Sequence, residues 1–234
     1  SLRRGIKTSN TIWGNQSSIL VGDYLFSRCF EMMVEDGSQE ILKLLSSTSS
    51  KIAQGEVLQL ENKGEIDILE ETYFNIINSK TATLFAAATR VGACISNRNK
   101  KEKDALESYG RNLGLAFQIA DDALDYYSNK MIFGKEIGKD FFEGKVTLPI
   151  IFLYQKADLN EKIFLEKTFK KKNRSKTEYN ETQNLLKKYN SIDLCFKRAE
   201  HFVTISYNAL NIFKPSREKI ILQNLTSYSL ERSF

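Results

Sequence analysis

Three residue types are scarce in this sequence, and their scarcity excludes several kinds of site. The 234 residues include one histidine, two prolines and three cysteines. A single histidine excludes a metal centre built from several imidazoles. Cys29, Cys94 and Cys195 lie too far apart for the short ligand spacings of a zinc site. We interpret them as free or buried thiols, and we therefore expect a reducing compartment and a cytoplasmic location.

Long apolar runs and a strong net charge are also missing. The sequence contains no stretch of about 18 apolar residues, so we expect no membrane-spanning helix. It has 34 Lys+Arg against 29 Asp+Glu, which gives a formal net charge of +5. This modest excess suits an anionic substrate or a membrane surface. The lysine-rich stretch 167–188 has no accompanying aromatic platform for stacking bases, so we expect no nucleic-acid partner.

The scarcity of proline accompanies a helical rhythm. Apolar residues recur at helical spacing, and no segment shows the strict alternation of a strand. We predict one all-α domain spanning residues 1–234, in which the apolar segment 20–28 forms a buried helix with a charged edge. The predicted helices cover residues 16–36, 39–61, 67–96, 102–127, 146–156, 160–172, 178–189, 191–212 and 216–231.

The strongest local pattern is the segment Gln118-Ile-Ala-Asp121-Asp122-Ala-Leu-Asp125. Gln118, Asp121 and Asp125 lie 3 and 4 residues apart, so they share one stripe of a helix, and Asp122 lies at its flank. Like charges one turn apart repel each other, and a bound cation would convert that cost into binding. Oxygen ligands suit Mg²⁺, which commonly binds through one or two carboxylates together with substrate phosphates. A solvated acidic helix end remains the alternative.

A stretch without helical periodicity follows the carboxylates. Residues 128–145 are interrupted by Gly134, Gly138 and Gly144. We predict a loop that becomes ordered when a ligand binds, because loops of this length are usually functional or disordered. The loop carries Lys130, Lys135, Lys139 and Lys145. Carboxylates that can hold a metal, followed by lysines that can meet phosphate oxygens, indicate a metal-bridged diphosphate site.

Together these stretches resemble a known family. The segment from Gln118 to Asp125 and the loop after it are similar to the second aspartate-rich motif of the trans-polyprenyl diphosphate synthases, and most of all to the octaprenyl and decaprenyl synthases that make quinone side chains. Further matching stretches occur in the family's order: Leu2-Arg3-Arg4-Gly5, Trp13-Gly14-Asn15, Val21-Gly22-Asp23-Tyr24-Leu25, Gln54-Gly55-Glu56, Ser79-Lys80-Thr81-Ala82 and Leu230-Glu231-Arg232. The resemblance implies the helical bundle of the isoprenoid synthases. It also implies a prenyltransferase that condenses isopentenyl diphosphate with an allylic diphosphate into a long-chain trans-polyprenyl diphosphate.

The resemblance also implies roles for individual residues. In the family, residues at these positions bind the two diphosphate substrates: Arg3, Arg4, Lys80, Thr81, Gln118, Lys135 and Lys145. The resemblance assigns a catalytic role to four of these residues: Lys80, Thr81, Gln118 and Lys135. Mg²⁺ is implied as the cofactor, held by Asp121, Asp122 and Asp125. From the residues alone, Lys80 is equally compatible with a lysine that snorkels out of a helix.

One departure from the family concerns the start of the chain. In the family a first aspartate-rich motif lies just before the Arg-Arg-Gly that here is Arg3-Arg4-Gly5. That motif would precede Ser1, so we expect the chain to correspond to the C-terminal two thirds of such an enzyme. We also expect residues 1–234 alone to be weakly active or inactive. The family further implies a homodimer, and peripheral association with a membrane would assist product release.

Two other functions remain open. The chain could be a noncatalytic or regulatory subunit of a heteromeric prenyl synthase, although the intact acidic segment argues against degeneration. It could also be a class I terpene cyclase, although the Lys80-Thr81 and Arg3-Arg4 pairs favour chain elongation. A product assay with isopentenyl diphosphate discriminates between elongation and cyclisation.

Overall fold

The computed structural model describes residues 2–3, 6–127 and 138–231. These residues form a helical body, which confirms the prediction of an all-α fold. The helices are α1 (Ser9–Asp36), α2 (Gln39–Glu61), α3 (Glu70–Ile77), α4 (Thr83–Ile95), α5 (Lys100–Tyr127), α6 (Lys139–Glu143), α7 (Leu148–Lys156), α8 (Leu159–Lys170), α9 (Lys176–Lys188), α10 (Ser191–Ala209) and α11 (Arg217–Glu231). A π-helical segment, Asn78–Ala82, joins α3 to α4, and a 3₁₀ turn, Leu210–Ile212, follows α10. Among the helices that the structure describes, none combines the length and the apolarity needed to cross a bilayer.

The extended structure in the described residues is a pair of two-residue strands. β1 (Leu2–Arg3) pairs antiparallel with β2 (Ile6–Lys7). The sequence did not predict this pair, because two residues are too few to show alternation. The π segment also divides the helix that was predicted over 67–96 into two.

Local capping explains where several helices begin and end. At the start of α8 the Asp158 side chain accepts a hydrogen bond from the backbone of Glu161, and the Glu161 side chain accepts one from the backbone of Asp158. Ser175 and Glu178 form the same reciprocal pair at the start of α9. Such capping boxes satisfy backbone donors that have no partner within the helix. α1 ends at Gly37, whose φ of 76° is the left-handed conformation that stops a helix.

α5 runs through the centre of the body and is fixed by its neighbours. The side chains of Ile119 and Ala120 on this helix are completely buried. Thr89 of α4 donates a hydrogen bond from Oγ1 to the carbonyl of Leu106 at 2.6 Å. Ser206 of α10 donates from Oγ to the carbonyl of Tyr109, about one turn further along α5, at 2.8 Å. Both bonds join a neighbouring helix to α5, so hydrogen bonds as well as apolar packing hold α4 and α10 to α5.

α4 and the π segment approach α5 so closely that glycine is required at the crossing. A Cβ added at Gly110 would overlap the carbonyl oxygen of Phe85 and Oγ1 of Thr89. One turn further along α5, a Cβ at Gly114 would lie 2.7 Å from Ala82 Cα. The two glycines therefore bring the π segment against the face of α5 that carries Gln118 one turn later.

The expectation of a buried helix at residues 20–28 is wrong for the described chain, because α1 has no buried residue. The large apolar side chains that are more than half exposed along α1 are Ile12, Trp13, Ile19, Leu20, Val21, Tyr24, Leu25, Phe26, Met32 and Val34. Among the described elements, α1 packs chiefly against α2. An apolar sequence leads to burial only where another surface lies opposite, and no described element covers this face of α1.

Replacing Gly110 by alanine should destabilise the protein, because the added methyl group overlaps α4. Overpacking of this kind costs about 1–3 kcal/mol. Gly92→Ala on α4 is the matched control, because no atom lies within 4 Å of a Cβ added there. We expect Gly92→Ala to stabilise the protein by roughly 0.5–1 kcal/mol through its better helix propensity. Urea unfolding measures both changes, and equal stabilities of the two variants would contradict the close crossing.

Candidate functional site

Thr81 and Gln118 meet in the structure although they are 37 positions apart in the chain. Thr81 Oγ1 donates a hydrogen bond to Gln118 Oε1 at 2.9 Å. Gln118 Nε2 donates in turn to Asp122 Oδ1 at 2.7 Å. The hydroxyl of Tyr73 donates to the other oxygen, Asp122 Oδ2, at 2.7 Å. One hydrogen-bonded chain therefore runs from the π segment through α5 to α3.

The π segment explains why consecutive residues contact different helices. Its wider turn includes both Lys80 and Thr81. Thr81 bonds to Gln118 on α5, whereas Lys80 bonds to a side chain on α2. Single π turns inside α-helices are frequent at functional sites.

Lys80 lies against the part of α2 that carries Gln54-Gly55-Glu56. Its Nζ donates to Gln59 Oε1 at 2.8 Å and lies 3.0 and 3.1 Å from the two carboxylate oxygens of Glu56. A Cβ at Gly55 would lie 2.7 Å from the backbone nitrogen of Lys80. The glycine therefore permits the close approach, and the glutamate binds the lysine. The family resemblance includes this motif without assigning it a role, and no motif marks Gln59.

The three carboxylates of the acidic segment have different surroundings. Asp122 is only 4% exposed, and both of its oxygens accept hydrogen bonds. Burial, followed by repulsion from Asp140, raises the pKa of Asp122 to about 8. Asp121 and Asp125 are only partly buried. Within residues 6–127 and 138–231, no three carboxylate, imidazole or thiol groups converge on one metal position. Asp122 is therefore buried and hydrogen-bonded, and a metal site at Asp121, Asp122 and Asp125 stays a prediction.

Part of the stretch that was predicted as a loop is a packed helix. α6 lies within it, and Phe141 is completely buried. Asp125 fixes the start of this segment, since Gly138 N–H donates to the Asp125 carbonyl at 3.0 Å and Asp140 N–H donates to Asp125 Oδ2 at 2.9 Å. The loop prediction is wrong for residues 139–143, because a helix of 5 residues is too short to show periodicity.

Lys145 follows α6 and is paired with two carboxylates. Its Nζ lies 3.0 Å from Asp140 Oδ1 and 2.7 Å from Glu143 Oε2. Partial burial lowers the pKa of Lys145, but attraction to Asp140 and the hydrogen bond to Glu143 outweigh burial and raise it. The lysine is therefore held as a cation in a defined position.

Arg174, which sequence reasoning missed, holds the far end of α6. Its guanidinium donates to the backbone carbonyls of Phe142 and Phe169, and it lies 5.3 Å from the centre of the Phe169 ring. A Cβ at Gly144 would overlap this guanidinium, and Gly144 also has a φ of 76°. The left-handed backbone therefore favours glycine, and a side chain at this position would displace the Arg174 guanidinium. No motif signal marks Arg174, because its partners are backbone atoms.

A small cavity lies among these elements. Its volume is about 20 Å³, enough for about one water molecule. The wall includes Gln59, which binds Lys80, and Tyr73, which binds Asp122. It also includes Lys145, which follows α6. Thr147 also lines the cavity, and its buried hydroxyl has no hydrogen-bond partner among the described residues. Lys145 therefore lines the same cavity as a partner of Lys80 and a partner of Asp122.

Some predicted site residues lie outside the described part of the chain. Arg4 and Lys135 are among them, as is the stretch 128–137 of the predicted loop. Arg3 is described through its backbone, in β1. Their substrate contacts stay predictions from the resemblance.

Fold and site together define a class of protein. An all-helical body that carries oriented lysines and partly exposed carboxylates suits a diphosphate held through a divalent cation. The sequence pattern of the Polyprenyl synthetase family matches residues 1–186, and the chain belongs to that family. Members of the family generally use a divalent metal ion.

Known proteins similar to this chain agree with that assignment. The octaprenyl diphosphate synthase of Haemophilus influenzae is 32% identical over 233 residues, which cover 100% of this chain and 70% of that protein. A decaprenyl diphosphate synthase structure from Rhodobacter capsulatus matches with a TM-score of 0.94 at 36% identity, covering 100% of this chain and 72% of that one. A polyprenyl synthase structure from Caulobacter crescentus, complexed with calcium and isoprenyl diphosphate, matches with a TM-score of 0.94 at 37% identity, covering 100% and 71%. The predicted family and the isoprenoid-synthase fold are confirmed.

Removing the Tyr73 hydroxyl should destabilise the folded protein. Tyr73→Phe leaves Asp122 Oδ2 without its donor in the interior, and an unsatisfied buried polar group costs about 1–3 kcal/mol. Tyr207→Phe is the matched control, because Tyr207 is 44% exposed. We expect the control to change the free energy of unfolding by less than about 0.5 kcal/mol. Urea unfolding compares the two, and equal stabilities would mean that the buried hydrogen bond contributes nothing.

Proposed function

We propose that this protein is a long-chain trans-polyprenyl diphosphate synthase that condenses isopentenyl diphosphate with an allylic diphosphate and supplies a quinone side-chain precursor. The observation that carries the proposal is the hydrogen-bonded chain Thr81–Gln118–Asp122, which begins beside Lys80, while Lys145 lines the same small cavity as Tyr73, the second donor to Asp122. This arrangement combines oxygen dipoles, suited to a carbocation, with ammonium groups, suited to a diphosphate. The octaprenyl and decaprenyl synthases among the relatives support a long product.

We propose Mg²⁺ as the metal and Asp121 and Asp125 as its protein ligands. These carboxylates lie one turn apart on α5, are partly exposed and offer only oxygen, which is the donor that Mg²⁺ prefers. Asp122 was predicted as a third ligand, but both of its oxygens already accept hydrogen bonds. We therefore assign Asp122 to orienting Gln118. When bound, the metal would neutralise diphosphate charge and so improve the leaving group.

The two described lysines would supply cationic contacts to the diphosphate. Lys80 is held against α2 by Glu56, and Lys145 is held after α6 by Asp140. Ammonium groups that are already oriented stabilise the charge that develops on a leaving group without a further reorganisation cost. Arg3, Arg4 and Lys135 complete the set through the family resemblance.

The reaction breaks the C–O bond of the allylic diphosphate, and the bonding electron pair leaves with the diphosphate. The double bond of isopentenyl diphosphate then attacks the allylic cation and forms the new C–C bond. In this proposal Thr81 and Gln118 stabilise the cation. Because the Thr81 hydroxyl donates its hydrogen to Gln118, the lone pairs of the Thr81 oxygen remain for the positive charge. The departing diphosphate accepts the proton that restores a trans double bond.

We also propose a cytoplasmic enzyme that associates peripherally with a membrane when its product is released. Its three cysteines are free thiols, which is the usual state in a reducing compartment. The lysines between residues 167 and 176 are exposed and offer a basic surface to anionic headgroups.

Asp121→Ala should lower kcat by about a hundredfold or more, because it removes a ligand of the metal that neutralises the leaving group. The fold should stay intact, since Asp121 is only partly buried. Asp193→Ala, which removes an exposed carboxylate on α10, is the matched control and should leave kcat unchanged. Incorporation of radiolabelled isopentenyl diphosphate measures both, and EDTA should abolish it. Near-normal turnover of Asp121→Ala would refute the metal assignment.

The exposed face of α1 supports a homodimer in which a second copy of the chain covers this helix. More than half of the Leu25 and Phe26 surfaces is exposed, and these residues belong to a longer row of exposed apolar side chains. Contiguous apolar surface of this kind usually marks an interaction site. A homodimer buries it without requiring a second protein.

Leu25→Arg should convert the dimer to a monomer, because it places a charge in an apolar interface. The matched control is Leu159→Arg, since Leu159 on α8 is 75% exposed and lies outside α1. Size-exclusion chromatography with light scattering gives the mass of each variant. A dimeric Leu25→Arg variant, or a monomeric parent protein, would overturn the proposed interface.

A further inference from the structure

The ammonium of Lys80 is bound by two side chains of α2 without any substrate. Its Nζ donates to Gln59 Oε1 at 2.8 Å and lies 3.0 and 3.1 Å from the oxygens of Glu56. Glu56 and Gln59 are three positions apart on α2, so they share one face of that helix. We propose that Glu56 and Gln59 are positioning residues, which hold Lys80 so that its remaining N–H meets the diphosphate as charge develops on it. This inference rests on the role of Lys80 in the proposed function.

The backbone on both sides of the contact is closely packed. A Cβ at Gly55, the residue before Glu56, would lie 2.7 Å from Lys80 N and 2.9 Å from Ser79 Cβ. On the opposite side of the π segment, a Cβ at Gly114 would lie 2.7 Å from Ala82 Cα. The π segment is therefore held between α2 and α5. This packing fixes the distance from the Lys80 backbone to its two side-chain partners.

The number of donors on an ammonium group makes the arrangement informative. A lysine ammonium has three N–H donors on a flexible four-carbon stem. Hydrogen bonds to Glu56 Oε2 and Gln59 Oε1 use two of these donors, which leaves one donor for a third group. Without these acceptors the stem would sample many rotamers. A displacement of about 1 Å from productive geometry can reduce a rate by roughly a hundredfold.

Folding stability does not explain the contact. The side chains of Lys80 and Glu56 are 28% and 50% exposed. Ion pairs as exposed as this contribute little to stability. Glu56 also places a negative charge beside a proposed diphosphate contact, which disfavours binding of an anion in the ground state. If the pair serves to position Lys80, removing Glu56 will lower kcat without raising KM for the allylic diphosphate.

A double-mutant cycle tests the inference in the assembled enzyme. Steady-state kinetics with the allylic diphosphate varied compare Glu56→Ala, Gln59→Ala and Lys80→Met, alone and combined. We expect each α2 variant to lower kcat about tenfold, with KM unchanged or lower. In the Lys80→Met background the same substitutions should have no further effect, because they act through Lys80. Glu56→Gln keeps an oxygen acceptor of the same reach and should recover most of the rate.

The controls separate this inference from the function on which it rests. Glu61→Ala, an exposed glutamate on the same helix, should leave kcat and KM unchanged, and thermal unfolding checks the fold of each variant. Normal turnover by Lys80→Met would refute the proposed role of Lys80 and the inference with it. A slow Lys80→Met enzyme in which Glu56→Ala and Gln59→Ala remain fully harmful would refute the positioning inference alone. So would α2 variants that raise KM and leave kcat unchanged.

Discussion

The buried carboxylate of Asp122 is the interaction on which the rest of the site depends. A buried carboxyl group is tolerated only when hydrogen bonds satisfy it. Here the donors are Tyr73 of α3 and Gln118 of α5. Because its amide nitrogen is committed to Asp122, Gln118 must turn its oxygen to the Thr81 hydroxyl. One buried group thus orients side chains from α3, the π segment and α5. Losing either Tyr73 or Gln118 would leave one oxygen of Asp122 without a hydrogen bond.

Close backbone approach is the second requirement. The π segment lies between Gly55 of α2 and Gly114 of α5, and neither position has room for a Cβ. As a result, Lys80 and Thr81 contact opposite neighbours although they are consecutive in the chain. In the proposed reaction, the Lys80 ammonium contacts the leaving group and the Thr81 hydroxyl contacts the carbocation. The two groups therefore come from adjacent residues. The backbone sets the separation of the two residues, and Glu56 and Gln59 hold the flexible stem of Lys80.

Two lysines of the site are each paired with a carboxylate. Lys80 has Glu56 and Lys145 has Asp140, so each cation is oriented before a polyanion arrives. Asp125 carries a further connection, because its side chain accepts a hydrogen bond from the Asp140 backbone. If Asp125 also binds the metal, as we propose, the metal position and the Lys145 position are mechanically coupled through α6.

Short-range patterns determined the helical class, and they predicted residues 39–61 with the bounds observed for α2. The family resemblance assigned Thr81 and Gln118 to one site, where they are in contact. Only the tertiary structure decided the burial of Asp122, the exposure of α1, the packed helix within 138–145 and the partners of Lys80. Tyr73 and Asp122 are 49 positions apart, and Glu56 and Lys80 are 24 apart. Periodicity records the geometry of one helix, whereas burial and partner choice depend on which distant segment lies against each face.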